Sequence, residues 1–313
     1  MKKGMLCLSV ALCLLSCSKE KMSFRAGERM QDFVIQISRY AKGIRPGFII
    51  IPQNGCELAF AGMDSANGLR MDYLDAVDAV TVEELFYDKT PVTDPYRLRL
   101  LQTIKPHKPV LVADYLQNDA DAPQDIALSQ NQGFLCFPRL QNNYYYSRIP
   151  SFILNENAQD ILTMGDAQNF LYLLNPENFP TREGYLQALG NTDYDVLIID
   201  LFYDNTPLTP AELLQLKTKH NGGKRLVISY VNVGSAEKYR YYWQKQWVLH
   251  IPHWLRKRYE GYADEYYVKF WVKEWQEIIY GNDGSYIRKI LDAGFDGAFL
   301  DNVEAYYAIY YND

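Results

Sequence analysis

Apolar, β-branched runs bounded by turn residues recur along the chain: Gly47 to Pro52, Ala76 to Val82, Pro109 to Ala113, Gly133 to Phe137, Asn169 to Leu174, Asp195 to Ile199, Arg225 to Val231 and Phe295 to Leu300. Runs that stay apolar, rather than alternating with polar residues, suit parallel strands buried on both faces. Helix-like segments stand between several of them, clearest at Pro95 to Ile104, Pro210 to His220 and Trp271 to Ala293, the second opened by Thr209 as a cap. Strands alternating with helices predict an α/β fold, a single (β/α)8 barrel.

The first element after the leader is a helix, because Met30, Phe33, Val34, Ile37, Tyr40 and Ala41 mark one apolar face that ends near Gly43. The pattern thus begins with a helix and ends with a strand, and the last strand lacks a crossover helix of its own. The N-terminal helix is expected to fill that place. The connections after Phe137 and Val231 are long, about 30 and about 60 residues against the short loops usual in such barrels. They carry Tyr144 to Tyr146 in one, and Tyr239, Tyr241, Tyr242, Trp243 and Trp254 in the other, as expected of loops that build a cleft.

Ahead of the domain, Lys2 and Lys3 precede an apolar run from Gly4 to Leu15, then Ser16 and Cys17, in the order of a secretory signal. The tetrapeptide Leu14-Leu15-Ser16-Cys17 resembles a bacterial lipobox. Residues 1–16 are therefore expected as a lipoprotein signal peptide, Cys17 as the lipidated residue, 17–23 as a tether and 24–313 as the barrel domain. That implies a lipid-anchored protein of the bacterial cell envelope, held to the membrane by its N-terminus; the alternative is an ordinary cleaved signal peptide in which Cys17 is incidental.

Composition changes this picture little. Two of the five cysteines, Cys56 and Cys136, fall within the domain; they make no disulfide framework and have no metal-ligand spacing, so neither metal nor cofactor is expected. The formal net charge of −6 argues against a nucleic-acid partner.

In a barrel of this kind the residues closing each strand face the active site. Here they are Gln53-Asn54, Glu83-Glu84, Asp114, Asn175, Asp200, Asn232 with Glu237 beyond it, and Asp301-Asn302 with Glu304. Acids and amides converge on one mouth, without a histidine cluster, a Gly-rich phosphate loop or a nucleophile elbow. Two carboxyl groups across a mouth are what glycoside hydrolysis requires, one to protonate the leaving oxygen and one to meet the sugar carbon or activate water. Some of these acids are instead expected to cap helices or bridge to arginines, notably Glu84, Glu304 and Asp114.

The stretches "DYDVLIIDLFYD", "KRLVISYVNVGSAEKYRYYW", "YYVKFWVKEWQEIIY" and "AGFDGAFLDNVEAYY" resemble the extracellular TIM-barrel family related to endo-α-1,4-polygalactosaminidases, glycoside hydrolase family 114. So do "RPGFIIIPQNGCEL", "VDAVTVEELFYD" and "KPVLVADY". Their order is rotated relative to the family, in which segments like "NFLYLLN" and "VLIIDLF" come first, so a circular permutation is expected. The resemblance implies Asp301, in "LDNVE", as catalytic aspartate and Glu83, in "VEELFY", as catalytic glutamate. Asp301 is expected as nucleophile or charge stabiliser, and Glu83 as general acid/base. Asp200, Glu237 and Arg240 match further motif positions and are expected to bind substrate or orient the pair, joined by Asn54, Lys269 and Asn302. Ser235 departs from the family, where an acid often stands. The implied substrate is an α-1,4-linked, galactosamine-rich polysaccharide; the alternative is a surface lipoprotein that binds glycan without cleaving it.

Overall fold

The computed structural model describes the backbone of residues 4–311 and side chains from 21 to 310. Lys2 and Lys3 lie outside the described residues, and Cys17 outside the described side chains. Among the described residues no helix is long and apolar enough to cross a membrane.

All eight apolar runs are strands, and all pair in parallel: β1 (Ile49–Pro52), β2 (Val80–Pro91), β3 (Val110–Leu116), β4 (Leu135–Cys136), β5 (Phe170–Leu173), β6 (Val196–Asp200), β7 (Leu226–Asn232) and β8 (Gly297–Asp301). They form a five-stranded sheet in the order β1-β8-β7-β6-β5 and a three-stranded sheet in the order β2-β3-β4. A parallel bridge between Gln53 and Thr81 joins the two at the β1–β2 seam. At the other seam no ladder pairs β4 with β5 among the described residues; Phe137 packs on Phe170 there, ring centroids 5.7 Å apart. Every residue of β1, β3, β5, β6 and β7 is buried, which accounts for their unbroken hydrophobicity.

Helices cover the outer face: α1 (Gly4–Ile44), α2 (Met71–Ala76), α3 (Pro95–Ile104), α4 (Ala122–Asn131), α5 (Arg182–Gly190), α6 (Pro210–Leu216), α7 (Lys273–Ile279), α8 (Tyr286–Ala293) and α9 (Ala305–Tyr311). The apolar face expected on α1 is buried, with Met30, Phe33, Val34, Ile37 and Ala41 all inaccessible to solvent. Thr209 caps α6 in a capping box with Glu212.

Four expectations require correction. The last described element is α9 rather than a strand: Ala305, Tyr306, Ala308 and Ile309 form a buried stripe at helical spacing, and α9 packs against α1. The segment Trp271 to Ala293 is two helices, parted where Gly281 adopts a φ of 101°, a conformation that interrupts a helix. Ala76 closes α2, so the second strand starts later than the run of apolar residues, and extends to Pro91. Asp114 does not reach the mouth, for a reason given below.

At the N-terminal end of β6, Lys219 and Asp195 form an ion pair with neither side chain exposed, Nζ to Oδ1 2.8 Å. Lys219 also donates to Asn157 O and Oδ1, while Asp195 accepts from Gln168 N–H and Asn157 Nδ2. Every charge here is satisfied, and the long β4–β5 connection is tied to the sheet by it.

Candidate active site at the strand ends

Three neighbouring strands leave the sheet through residues of left-handed conformation: Asn54 after β1 (φ 60°), Glu84 within β2 (φ 55°) and Asn302 after β8 (φ 59°). Asparagine tolerates this region; glutamate does so only when its surroundings impose it. They do. Arg97 donates to Glu83 O (2.9 Å) and Glu84 O (2.5 Å), and the buried Asp114 carboxylate accepts the backbone N–H groups of Leu85 (2.5 Å) and Phe86 (3.1 Å). Asp114 thus takes over hydrogen bonds that the β2–β3 ladder abandons where its register shifts between Glu83 and Asp88. Burial and the Asp114 charge push the Asp125 carboxyl up to about 9, so it holds the proton of their shared hydrogen bond. The chain is bulged and fixed so that Glu83 and Glu84 both turn to the mouth.

The mouth is a cleft of about 670 Å³, within the range of small-ligand sites. Asn54, Glu83, Asp200, Arg240, Asp301 and Asn302 all line it. The buried Glu237 stands behind the wall, and Lys269 lies outside the lining, its backbone N–H bonded to Trp254 O (2.8 Å). Of the loop aromatics, Tyr144, Tyr145, Tyr146 and Tyr239 line the cleft, whereas Trp254 is buried away from it.

Asp301 is held at both oxygens. Tyr230 OH donates to Oδ2 (2.7 Å) and the Asn302 backbone N–H to Oδ1 (2.8 Å). The backbone there is set by close approach, since a Cβ at Gly234 would lie 2.0 Å from Asn302 O. Burial, reinforced by the Glu83 charge, pushes the Asp301 carboxyl up to about 7 against the two donors. Glu83 accepts a short hydrogen bond from Tyr146 OH and lies 3.7 Å from Arg139 Nη1. Arg139 also bridges to Glu84 at 2.9 Å, as arginine pairing of Glu84 was expected to do. Asn54 accepts the Glu83 backbone N–H at 3.0 Å and hydrogen-bonds Glu304. Arg240 joins two acids, Nη2 to Asp200 Oδ2 at 2.8 Å and Nε to Glu237 Oε2 at 2.7 Å. Arg240 offsets one of those two charges within the wall, while Asp301 faces the cleft with no cation bonded to it among the described residues.

Three contributors escaped the sequence reading, and a fourth, Tyr146, was expected in a cleft-building loop but not as the partner of Glu83. Arg139 follows the fourth apolar run by two residues, so the end of that run carried the signal. Tyr230 bonds Asp301, but nothing in its spacing marks it among 26 tyrosines. Glu265 lines the cleft from a small antiparallel sheet of Ser235–Glu237, Leu255–Arg258 and Glu265–Val268 built in the long connection after β7. Its Oε2 accepts from Ser235 Oγ at 3.2 Å. Ser235, where an acid was expected from the family, therefore leaves room for an acid from the adjacent strand. Burial, with the charges of Glu237 and Asp301, pushes Glu265 up to about 8.

These carboxyls make stability depend on pH in an unusual direction. Asp301, Glu265 and Glu304 (about 8) hold protons in the folded state that an unfolded carboxyl, with a pKa of about 4, has released. Their contribution is fully favourable below the unfolded value and is lost as pH climbs through the folded values. The urea midpoint is expected to fall between pH 5 and pH 8; a midpoint that rises over that interval would show that the acids are not buried as described.

The family model of glycoside-hydrolase family GH114 matches residues 154–313. Curated proteins similar to the chain include uncharacterized proteins of three organisms. The chain is 30% identical over 168 residues to MJ1477 of Methanocaldococcus jannaschii, covering 53% of this chain and 46% of that protein. It is 30% identical over 118 residues to a Thermotoga maritima protein (38% and 35%) and over 121 residues to a Deinococcus radiodurans protein (39% and 37%). The chain thus spans between about a third and a half of the length of the curated relatives it matches.

Proposed function

Because the chain belongs to glycoside-hydrolase family GH114, we propose that it hydrolyses an extracellular polysaccharide with Asp301 and Glu83 as its working carboxyl pair. The observation that carries this reading is that both acids line one cleft from the strands flanking β1, Asp301 at the end of β8 and Glu83 at the bulge in β2, each oriented by its own tyrosine. At neutral pH the pair holds one proton between its two carboxyls: it passes to the departing glycosidic oxygen, while the ionised partner meets the positive charge that builds on the sugar carbon. The step needs one carboxyl protonated and one ionised, so kcat/KM is expected to fall as pH climbs through the raised value of about 7 and the shared proton is lost. A flat profile between pH 5 and 8 would remove Asp301 from the step.

The substrate we favour is a galactosamine-rich, α-1,4-linked glycan, because a cationic sugar relieves the crowded negative charge. Asp301 and Glu265 are both raised by burial and, further, by neighbouring carboxylates, and an ammonium group between them would favour their ionised forms. Replacing Glu265 with Gln is expected to raise KM about tenfold on a cationic oligomer, the effect of losing about 1.4 kcal/mol of binding, with kcat changed less. An equal KM for both proteins would place the amine elsewhere.

Endo action is supported by a second groove of about 580 Å³ that shares Asn54, Glu83, Glu84 and Glu304 with the first. A chain lying through both would pass Glu83 on either side. Digestion of a defined oligomer tests this: internal fragments early in the reaction are expected, and release of single sugars from one end would contradict it.

We further read the eight strands as one barrel, closed at the β4–β5 seam by side-chain packing, with α1 in the position that follows β8 in an unrotated order. Anchoring through Cys17 belongs to the same reading. Mass analysis of the mature N-terminus tests it, with a diacylglyceryl-modified Cys17 expected and an unmodified residue against it.

A further inference from the structure

The long connection after β7 holds a segment whose character differs from the rest of this acidic chain. Between Lys245 and Arg258 it contains Lys245, Arg256, Lys257 and Arg258 and no Asp or Glu, against a net charge of −6 for the whole. At its end lies a tight turn. Val248 and Ile251 exchange backbone hydrogen bonds of 2.8 and 2.7 Å. The turn projects three apolar side chains into solvent, Val248 at 56% exposure, Leu249 at 36% and Ile251 at 60%. Beneath it, Trp247 meets Trp254 edge-on at 4.9 Å and Trp243 at 5.3 Å, so the tip stands on a rigid aromatic base. The strand that leaves the turn, Leu255–Arg258, pairs with Glu265–Val268, which bears the cleft acid Glu265. Arg256 and Arg258 along it are exposed.

We propose that this turn is a docking tip for an anionic lipid surface. Three exposed aliphatic side chains gain free energy only where they leave water, which a hydrated polyanionic glycan does not offer. Bases on both sides of an apolar wedge match a layer of acidic headgroups over hydrocarbon, and half-buried tryptophan suits the boundary between them. Because the turn is closed by its own backbone and braced by indoles, docking orders no further chain. The surface so engaged lies beside the cleft. This inference does not rest on the glycosidase reading, nor on the N-terminal anchor.

The full chain is tested for partitioning onto vesicles of phosphatidylcholine alone and with 30 mol % phosphatidylglycerol. The comparison includes the Val248→Ser/Leu249→Ser/Ile251→Ser variant and the Lys245→Glu/Arg256→Glu variant. Any N-terminal contribution is common to all three proteins. Wild type is expected to bind the anionic vesicles at least tenfold more tightly than either variant, with its advantage over the charge variant collapsing on phosphatidylcholine. Equal partitioning of all three would overturn the proposal. So would a wild-type dimer that the Ser variant dissolves, since the tip would then be covered by a second copy. Circular dichroism of the variants, expected to match wild type, excludes unfolding as the cause.

Discussion

Asp301→Asn is expected to lower kcat by about 10³-fold or more, as loss of a carboxyl acting in the transition state does, while leaving the protein as stable as wild type or more so. The second half of this result distinguishes a working acid from a structural one. Asp301 is crowded: burial and the Glu83 charge raise it to about 7, and Tyr230 OH and Asn302 N–H only partly oppose them. An amide of the same shape removes that repulsion, so the catalytic carboxylate is held at the expense of stability. Glu83→Gln is expected to lose activity to a similar degree. It should also lower the Asp301 pKa, because one of the charges raising it has gone; a 13C titration of the side-chain carboxyls reads this without any activity. Wild-type turnover in either variant, or a large drop in melting temperature with the Asp301 amide, would make the pair a structural feature of the mouth.

Lys219→Met is expected to cost about 3–5 kcal/mol, the consequence of removing one partner from a fully buried ion pair. The pair has no exposure on either side, and Asp195 would keep its charge with only amide donors from Gln168 and Asn157. For a domain of this size the loss amounts to a melting temperature lower by about 5–8 °C. Lys273→Met offers the contrast. Lys273 pairs with Glu277 on the surface of α7, its side chain 83% exposed, and its loss is expected to change stability by less than about 1 kcal/mol. Similar melting temperatures for the two variants would mean that water reaches Asp195. Activity of the folded Lys219→Met protein should be unchanged, since the pair lies at the N-terminal end of β6, the opposite end of that strand from Asp200.

The strands were legible because parallel, doubly buried strands must be apolar throughout, and Ile49–Ile51 or Val196–Ile199 admit no other reading. The acids of the mouth were legible for a related reason: a charged residue closing such a run has to emerge where the sheet ends. Asp114 shows the limit of that rule. It closes an apolar run too, yet its carboxylate is drawn back to the amides of Leu85 and Phe86, and only the bulge in the neighbouring strand explains why. Nothing in the residues Glu83 to Asp88 announces that bulge, because it is fixed by partners far along the chain, Arg97 and Asp114. Glu265 was hidden for the same kind of reason, as its place in the cleft depends on the cross-strand register with Ser235 to Glu237. The helix α9 could have been found: the pattern Ala305, Tyr306, Ala308, Ile309 already has helical spacing. Gly281 likewise marked the break between α7 and α8.

The most direct test of the account is release of reducing ends by wild type from three soluble polymers: α-1,4-linked galactosamine, its N-acetylated form and a neutral galactose polymer. Cleavage of the cationic polymer in preference to the other two, absent in Asp301→Asn and Glu83→Gln, is the predicted result. Tight binding of the cationic polymer by all three proteins with no reducing ends released would contradict it and leave a cleft that holds glycan without breaking it.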